Sequence, residues 1–74
     1  MTIGTRVRIA ECSGVDSGKI ATVVSLTAQF DGYTRYLVSR GWVPLCVDSI
    51  SVFDGTPKTY FTAMPKNRLT KAED

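Results

Sequence analysis

The side chains that could carry out chemistry are few in this chain and far apart. The 74 residues include no histidine, and the two cysteines, Cys12 and Cys46, do not form a C-x-x-C pair. Without histidine the chain lacks the usual general base near neutral pH and the commonest zinc ligand. Ser-His-Asp and Cys-His catalysis and zinc fingers are therefore excluded, and we expect no enzymatic activity, no metal and no other cofactor.

Aspartate and glycine residues cluster where the chain is expected to turn. Three aspartates stand next to glycine or serine, namely Asp31, Asp48 and Asp54. Short carboxylates in such positions bond to the backbone of turns, so we interpret them as turn residues and not as a general acid-base pair. Gly14 and Gly18 precede Lys19, but the spacing and the following helix of a phosphate-binding loop are missing.

Cationic side chains alternate with aromatic ones in several stretches. Such mixtures can hold phosphates while rings stack on exposed bases, although ordinary solvated strands show the same pattern. The net charge of +2 is too small to establish a polyanion ligand. The candidate nucleic-acid-binding residues are Arg6, Arg8, Lys19, Lys58, Lys66 and Arg68.

A second candidate surface surrounds the single tryptophan. Trp42 follows Arg40 and Gly41, so in a loop its indole would anchor another protein chain, whereas in a barrel it would plug one end. We take Tyr36, Arg40 and Trp42 as candidate protein-interaction residues. The alternative for the aromatic side chains is the core, where Tyr36, Phe53 and Phe61 would be buried.

Alternating patterns predict strands at both ends of the chain. Arg6 and Arg8 alternate with Val7 and Ile9, which indicates a half-buried strand, and the β-branched residues 20–26 predict a second strand beside it. Residues 59–63 predict a strand that forms a hairpin with residues 50–53 across the turn 54–57. Residues 65–68 predict a 3₁₀ turn, and residues 69–71 a last strand returning to the first.

The middle of the chain is harder to interpret. The dipeptide Asp31-Gly32 is a strong turn signal, and residues 33–38 are aromatic and β-branched enough to predict a third strand. Pro44 argues against a central strand over the residues around it, because proline cannot donate to a sheet ladder. We therefore expect regular strand structure to resume only at residues 50–53.

Two stretches resemble the KOW and SH3-like small β-barrels. The run Arg6, Val7, Arg8, Ile9 followed by residues 18–24 is similar to the KOW strand-loop-strand pattern, with Ala21 where that pattern usually has glycine. Residues 52–55, 60–61 and 65–69 resemble the closing hairpin and 3₁₀ turn of SH3-like barrels. The resemblance implies an all-β fold: a small SH3-like, partly open barrel of about five strands with a 3₁₀ turn before the last strand. It would occupy residues 1–71 and leave 72–74 as a loose tail.

The cellular setting follows from the cysteines and the hydropathy. Two cysteines are too few for a disulfide scaffold, so we expect reduced thiols, with a Cys12–Cys46 disulfide as the alternative. No stretch approaches the roughly 20 apolar residues that span a bilayer, nor is there an apolar leader, so we expect a cytoplasmic protein without membrane contact.

The small size suggests dependence on a partner. A single core in a chain of 74 residues supplies about 5 kcal/mol or less. We therefore predict a non-enzymatic binding or assembly module that meets a protein partner or its own copy, without a small-molecule substrate. The alternative is a KOW-like accessory protein that binds RNA or DNA.

Overall fold

The computed structural model describes residues 2–11 and 14–72 of the chain. Within these residues, five strands and one helix are connected by short turns. In chain order they are β1 (Arg6–Ile9), β2 (Ile20–Val23), α1 (Gly32–Ser39), β3 (Val43–Ile50), β4 (Pro57–Met64) and β5 (Leu69–Lys71). Gly14–Asp16 and Lys66–Arg68 form 3₁₀ turns.

The strands form one antiparallel sheet in the order β4-β3-β2-β1-β5. Each of the first three strands pairs with the next one along the chain, and β5 returns to pair with β1. The edge strands β4 and β5 are not paired with each other, so the sheet is open. The predicted all-β class, the five strands and the 3₁₀ turn before the last strand are confirmed.

One face of the sheet carries the main core. Val7, Ile9, Leu45 and Val47 are completely buried, and their neighbours Arg6 and Arg8 are exposed, as the alternation in β1 predicts. Met64 at the end of β4 and Leu69 in β5 belong to the same buried cluster, although they lie on opposite edges of the sheet. The sheet therefore coils so that both edges contribute to one interior.

The other face is partly covered by α1 and the loop before it. Phe61 and Ala63 alternate along β4 with the core residue Met64 and so point to this second face. The ring of Phe30 lies 5.0 Å from that of Phe61, centroid to centroid, at an angle of 57°. Phe30, Ala63 and Thr34 of α1 are buried. This small second cluster holds the helix on the sheet.

The strand predicted at residues 33–38 is wrong, because this segment forms α1. Asp31 is the N-cap of the helix, and its Oδ1 accepts a hydrogen bond of 2.7 Å from the backbone N–H of Thr34. Hydrogen bonds from the backbone N–H and the side chain of Thr34 lower the pKa of Asp31. An aspartate that caps a helix and one that begins a hairpin turn look alike in sequence, since both bond to backbone N–H groups.

The prediction for Pro44 is also wrong, because β3 begins at Val43 and is the second strand of the sheet, between β4 and β2. The carbonyl of Pro44 accepts a hydrogen bond from Val24 N–H, so its polar edge faces the β2 side. Strand β2 ends at Val23. Pro44 therefore lacks an N–H only at the position where hydrogen bonding between β3 and β2 ends, so the proline costs the sheet little.

The β3–β4 hairpin is longer than predicted and its tip is apolar. The turn occupies residues 51–56 and not 54–57, because the strand predicted at 50–53 ends at Ile50 and Pro57 already begins β4. Within the turn Gly55 has a φ of 72°, and Asp54 accepts hydrogen bonds from the N–H and Oγ1 of Thr56. Phe53, predicted to join the core, is 97% exposed. Tyr36, for which burial in the core was the alternative prediction, is 55% exposed.

Candidate functional site

Three side chains form an outward stripe on α1, which we call the aromatic face of α1: Tyr33, Tyr36 and Arg40. Residues three, four and seven positions apart lie on the same side of a helix. Tyr33 is 71% exposed, and the guanidinium of Arg40 lies 5.9 Å from the centre of the Tyr36 ring. Nη1 of Arg40 also donates to the Tyr36 hydroxyl at 3.4 Å. The stripe combines aromatic surface with one cation.

Trp42 is fixed next to this face by the end of the helix. The N–H of Gly41 donates to Val38 O at 3.0 Å and that of Trp42 to Leu37 O at 3.1 Å, which is the Schellman arrangement. Gly41 has a φ of 99°, which favours glycine. Trp42 is half-buried, so its exposure is intermediate between the two predictions, an exposed anchor for a partner and a buried plug at one end of a barrel. The structure therefore brings Tyr36 and Arg40 into contact, and it holds the backbone of Trp42 at the same end of α1.

Two of the six candidate phosphate-binding cations contact other side chains within the fold, and a third, Arg8, donates through Nη1 to Gly18 O at 3.1 Å. The two are Arg6 and Lys19. Arg6 forms an ion pair with Asp48 at 3.0 Å and donates to Thr22 Oγ1 at 3.2 Å. The ammonium of Lys19 lies 3.3 Å from Ser49 Oγ and 5.3 Å from the centre of the Tyr60 ring. Both charges already have partners that a phosphate would have to replace.

The other four candidate cations are exposed but divided between two places. Lys58 lies near the start of β4 and Lys66 beyond its end, and at about 3.3 Å per residue the strand between them spans roughly 20 Å. Arg68 O accepts a hydrogen bond from the N–H of Ala10, two residues after Arg8. The structure thus places the backbones of Arg8, Lys66 and Arg68 near the β1–β5 pair, although the guanidinium of Arg8 bonds to Gly18 O, and Lys58 lies apart.

A polar cluster at one end of the core was not anticipated from the sequence. The Tyr60 hydroxyl donates to the carboxylate of Asp16, and Lys19 Nζ lies 3.5 Å from the same hydroxyl. Burial, together with Asp16, raises the pKa of Tyr60, so the phenol stays protonated at neutral pH. Tyr60 belongs to the face of β4 that packs on the main core. The cluster closes that end of the core with satisfied polar groups.

The tip of the β3–β4 hairpin is a second exposed apolar feature, after the aromatic face of α1. It was not predicted from the sequence. We define the hairpin tip as Ile50, Val52 and Phe53. Val52 is 92% exposed, and Ile50 is also open to solvent. Large apolar side chains exposed together mark interaction sites more often than single exposed ones do. The only sequence signal was the apolar pair beside the Asp54-Gly55 turn, in which Val52 was interpreted as part of a strand and Phe53 as a strand residue that could join the core.

Other kinds of site find little support in the part of the chain that the structure describes. Residues 2–11 and 14–72 enclose no pocket and bring together no group of three or more potential metal ligands. Cys46 is a half-buried free thiol on β3, and Cys12 lies outside the described residues. Among the described elements, no helix has the length and apolarity needed to cross a bilayer.

Comparison with protein families, with curated proteins and with solved structures finds no match for this chain. The KOW or SH3-like relationship therefore stays a prediction that depends on the residues quoted above. The function has to be argued from the exposed surfaces of the molecule itself.

Proposed function

We propose that this chain is a non-enzymatic binding and assembly module, and that the aromatic face of α1 together with Trp42 is its contact surface. The observation that carries the proposal is the exposure of two tyrosines, Tyr33 and Tyr36, on one side of a helix whose other side is held on the sheet. The helix presents them at a fixed angle, close to Arg40 and Trp42.

The composition of this surface is that of an interface centre. Tyrosine, tryptophan and arginine are the residues that most often dominate the binding energy between proteins. The contact between Arg40 and Tyr36 already restrains both side chains, so less side-chain entropy is lost when a partner binds. A partner that binds only the folded chain also adds to the modest stability of a small domain.

Site-specific photo-cross-linking in the native cell tests this function. A photoreactive phenylalanine at position 36 is expected to give a discrete adduct, and the same probe at Thr70, exposed on β5, is expected to give none. Arg40→Glu should abolish the adduct at position 36 while circular dichroism shows an unchanged fold. Equal labelling at positions 36 and 70, or none at either, would contradict the assigned surface.

The alternative function, binding to RNA or DNA, is supported by one observation: Arg8, Lys66 and Arg68 are exposed close together near β1 and β5. Phosphate contacts of this kind release counterions, so binding should weaken steeply with salt, with a logarithmic slope of about −0.9 per contact on duplex DNA.

Sedimentation velocity at low salt, with short single-stranded RNA and then duplex DNA, tests the alternative. A shift that disappears in added salt and in the Lys66→Gln, Arg68→Gln double variant would support it. A sedimentation profile that neither nucleic acid alters at low ionic strength would eliminate it.

A further inference from the structure

The outer edge of β4 is an unpaired strand edge. Backbone groups of an antiparallel strand point alternately to its two sides. Because Ser51 N–H donates to Thr56 O at 2.9 Å, the even-numbered residues of β4 face β3. The N–H and C=O groups of Thr59, Phe61 and Ala63 therefore point away from the sheet. No described residue donates to or accepts from them.

We propose that this edge pairs with β4 of a second copy of the chain, antiparallel and centred on Phe61, to form a symmetric dimer with a continuous ten-stranded sheet. The inference rests on the proposed assembly function and names the partner. In this register Thr59 pairs with Ala63 of the second copy and Phe61 with Phe61. The three bonded pairs exchange about six hydrogen bonds.

Pro57 limits the alternative registers. Its position in the alternation places its missing N–H on the outer edge, so a register that pairs Pro57 loses a hydrogen bond. Centring the pair on Phe61 places Pro57 opposite Pro65 of the second copy, beyond the bonded residues. Among registers that use the three free positions, this one leaves no outward N–H of β4 without a partner.

Charge complementarity supports a second copy as the occupant. Asp54, whose pKa is lowered by hydrogen bonds from Thr56, is a carboxylate at the hairpin end of β4. Lys66 and Arg68 lie just past the other end. Antiparallel pairing brings opposite ends together, so Asp54 of each copy approaches Lys66 and Arg68 of the other. Asp54 thereby offsets the like charge of Lys58, which lies opposite Met64 of the second copy. The attraction occurs twice in one symmetric interface.

In the same dimer, the hairpin tip of each copy lies close to apolar surface of the other copy. Each tip extends beyond the end of the neighbouring β4, where α1 of that copy packs against β4 and β3. Val52 and Phe53 of one copy are thereby brought towards α1 and Trp42 of the other. Two exposed apolar features that lie at opposite ends of one strand in the single chain meet across the two-fold axis.

Amide hydrogen exchange of the unmodified chain, measured at several concentrations by nuclear magnetic resonance, is the decisive experiment. At low concentration the amides of Lys58, Tyr60 and Thr62 should be protected and those of Thr59, Phe61 and Ala63 should exchange quickly. At concentrations where sedimentation shows a dimer, the second set should become protected as well. Fast exchange of the second set in the dimer would overturn the inference.

Matched variants at the two sheet edges give an independent test. Thr59→Pro removes an outward N–H from β4 and should abolish the dimer, whereas Lys71→Pro removes an outward N–H from β5 and should leave it intact. Lys66→Glu should raise the dimer dissociation constant about tenfold or more, with Lys71→Glu as its control. Equal effects at the two edges would refute the assigned edge.

The inference and the proposed function fail in different ways. A chain that stays monomeric at all concentrations but cross-links from position 36 to another protein would overturn the second copy and keep the binding function. A dimer with unprotected Thr59, Phe61 and Ala63 would likewise overturn only the β4 pairing. A monomer without adducts would refute both.

Discussion

Replacing Phe30 with alanine is predicted to release α1 from the sheet. Phe30 is 4% exposed, and its ring packs on that of Phe61 at 5.0 Å. Removal of a buried phenyl group costs about 3–5 kcal/mol, and the single core of a chain of 74 residues supplies a free energy of unfolding of about 5 kcal/mol or less. Phe30→Ala therefore consumes much of the stability, and Phe30→Leu, at about 1–2 kcal/mol, is the practical variant.

The assay is urea unfolding followed by the fluorescence of Trp42, the single tryptophan, which directly follows the helix end. The double-mutant cycle of Phe30→Leu and Phe61→Leu should give a coupling energy of about 0.5–1.5 kcal/mol, because the rings interact beyond their burial. Phe53→Leu, at a side chain that is 97% exposed in the single chain, is the control and should change stability by less than about 0.5 kcal/mol at concentrations where the chain is monomeric.

Two results would refute this reasoning. A cost of Phe30→Leu no larger than that of Phe53→Leu would mean that Phe30 is not buried. Additive effects of Phe30→Leu and Phe61→Leu would mean that the two rings are not in contact. In either case α1 would have to be held on the sheet by other residues.

Three further predictions follow from the same structure. Val7→Asp should unfold the chain by burying an unpaired charge, whereas Arg8→Ser should cost about 0.5 kcal/mol or less, as thermal unfolding will show; equal tolerance would mean that the facing of β1 is wrong. Asp31→Ala should lower the helical circular dichroism signal and the Tm while Asp31→Asn keeps both. Because the pKa of Asp31 is lowered in the folded chain, its contribution is present above about pH 4 and is lost as the pH falls through the folded value; a pH-independent difference between Asp31→Asn and the parent would contradict this. Arg6→Ala should cost about 0–1 kcal/mol, less in high salt, since the ion pair with Asp48 is about half exposed; a larger, salt-independent loss in chemical denaturation would mean that Arg6 does more than pair with Asp48.

The strands at the two ends of the chain were predictable because their signals are local. Val7 and Ile9 alternate with arginines, and the glycine-containing turns near Gly18 and Gly55 separate apolar runs. The last strand was predicted from its position after the 3₁₀ turn. In each case the periodicity of two and the turn chemistry favour the same structure.

The middle of the chain was not predictable because its structure depends on distant contacts. Residues 33–38 form a helix because Phe30 and Thr34 are buried against the sheet, on the face that also carries Ala63. A helix of eight residues is also too short for its period to be clear in the sequence. Pro44 is tolerated because β2 has ended, which only the register reveals. The exposure of Phe53 likewise depends on how far the hairpin extends.

The residues of the proposed contact surface could be named from the sequence, but their arrangement could not. Tyr36, Arg40 and Trp42 were chosen for their residue types, and the helix explains why Tyr36 and Arg40 are in contact. Tyr33 was not included in the protein-interaction residues; a strand would place it on the face opposite Tyr36, whereas a helix places both on one side. The six cations came from composition along the chain, which says nothing about the ion pair of Arg6 or the internal position of Lys19.

The connection between β2 and β3 makes the proposed contact surface a replaceable part. These two strands pair directly, with Val23 opposite Leu45, so residues 24–42 leave the sheet and return to the adjacent position. Their removal would leave every strand register formally intact and expose the face of β4 and β3 that α1 covers, including Phe61 and Ala63. Replacement of residues 24–42 alone can therefore change the partner while the sheet stays the same, much as binding loops vary on a constant scaffold.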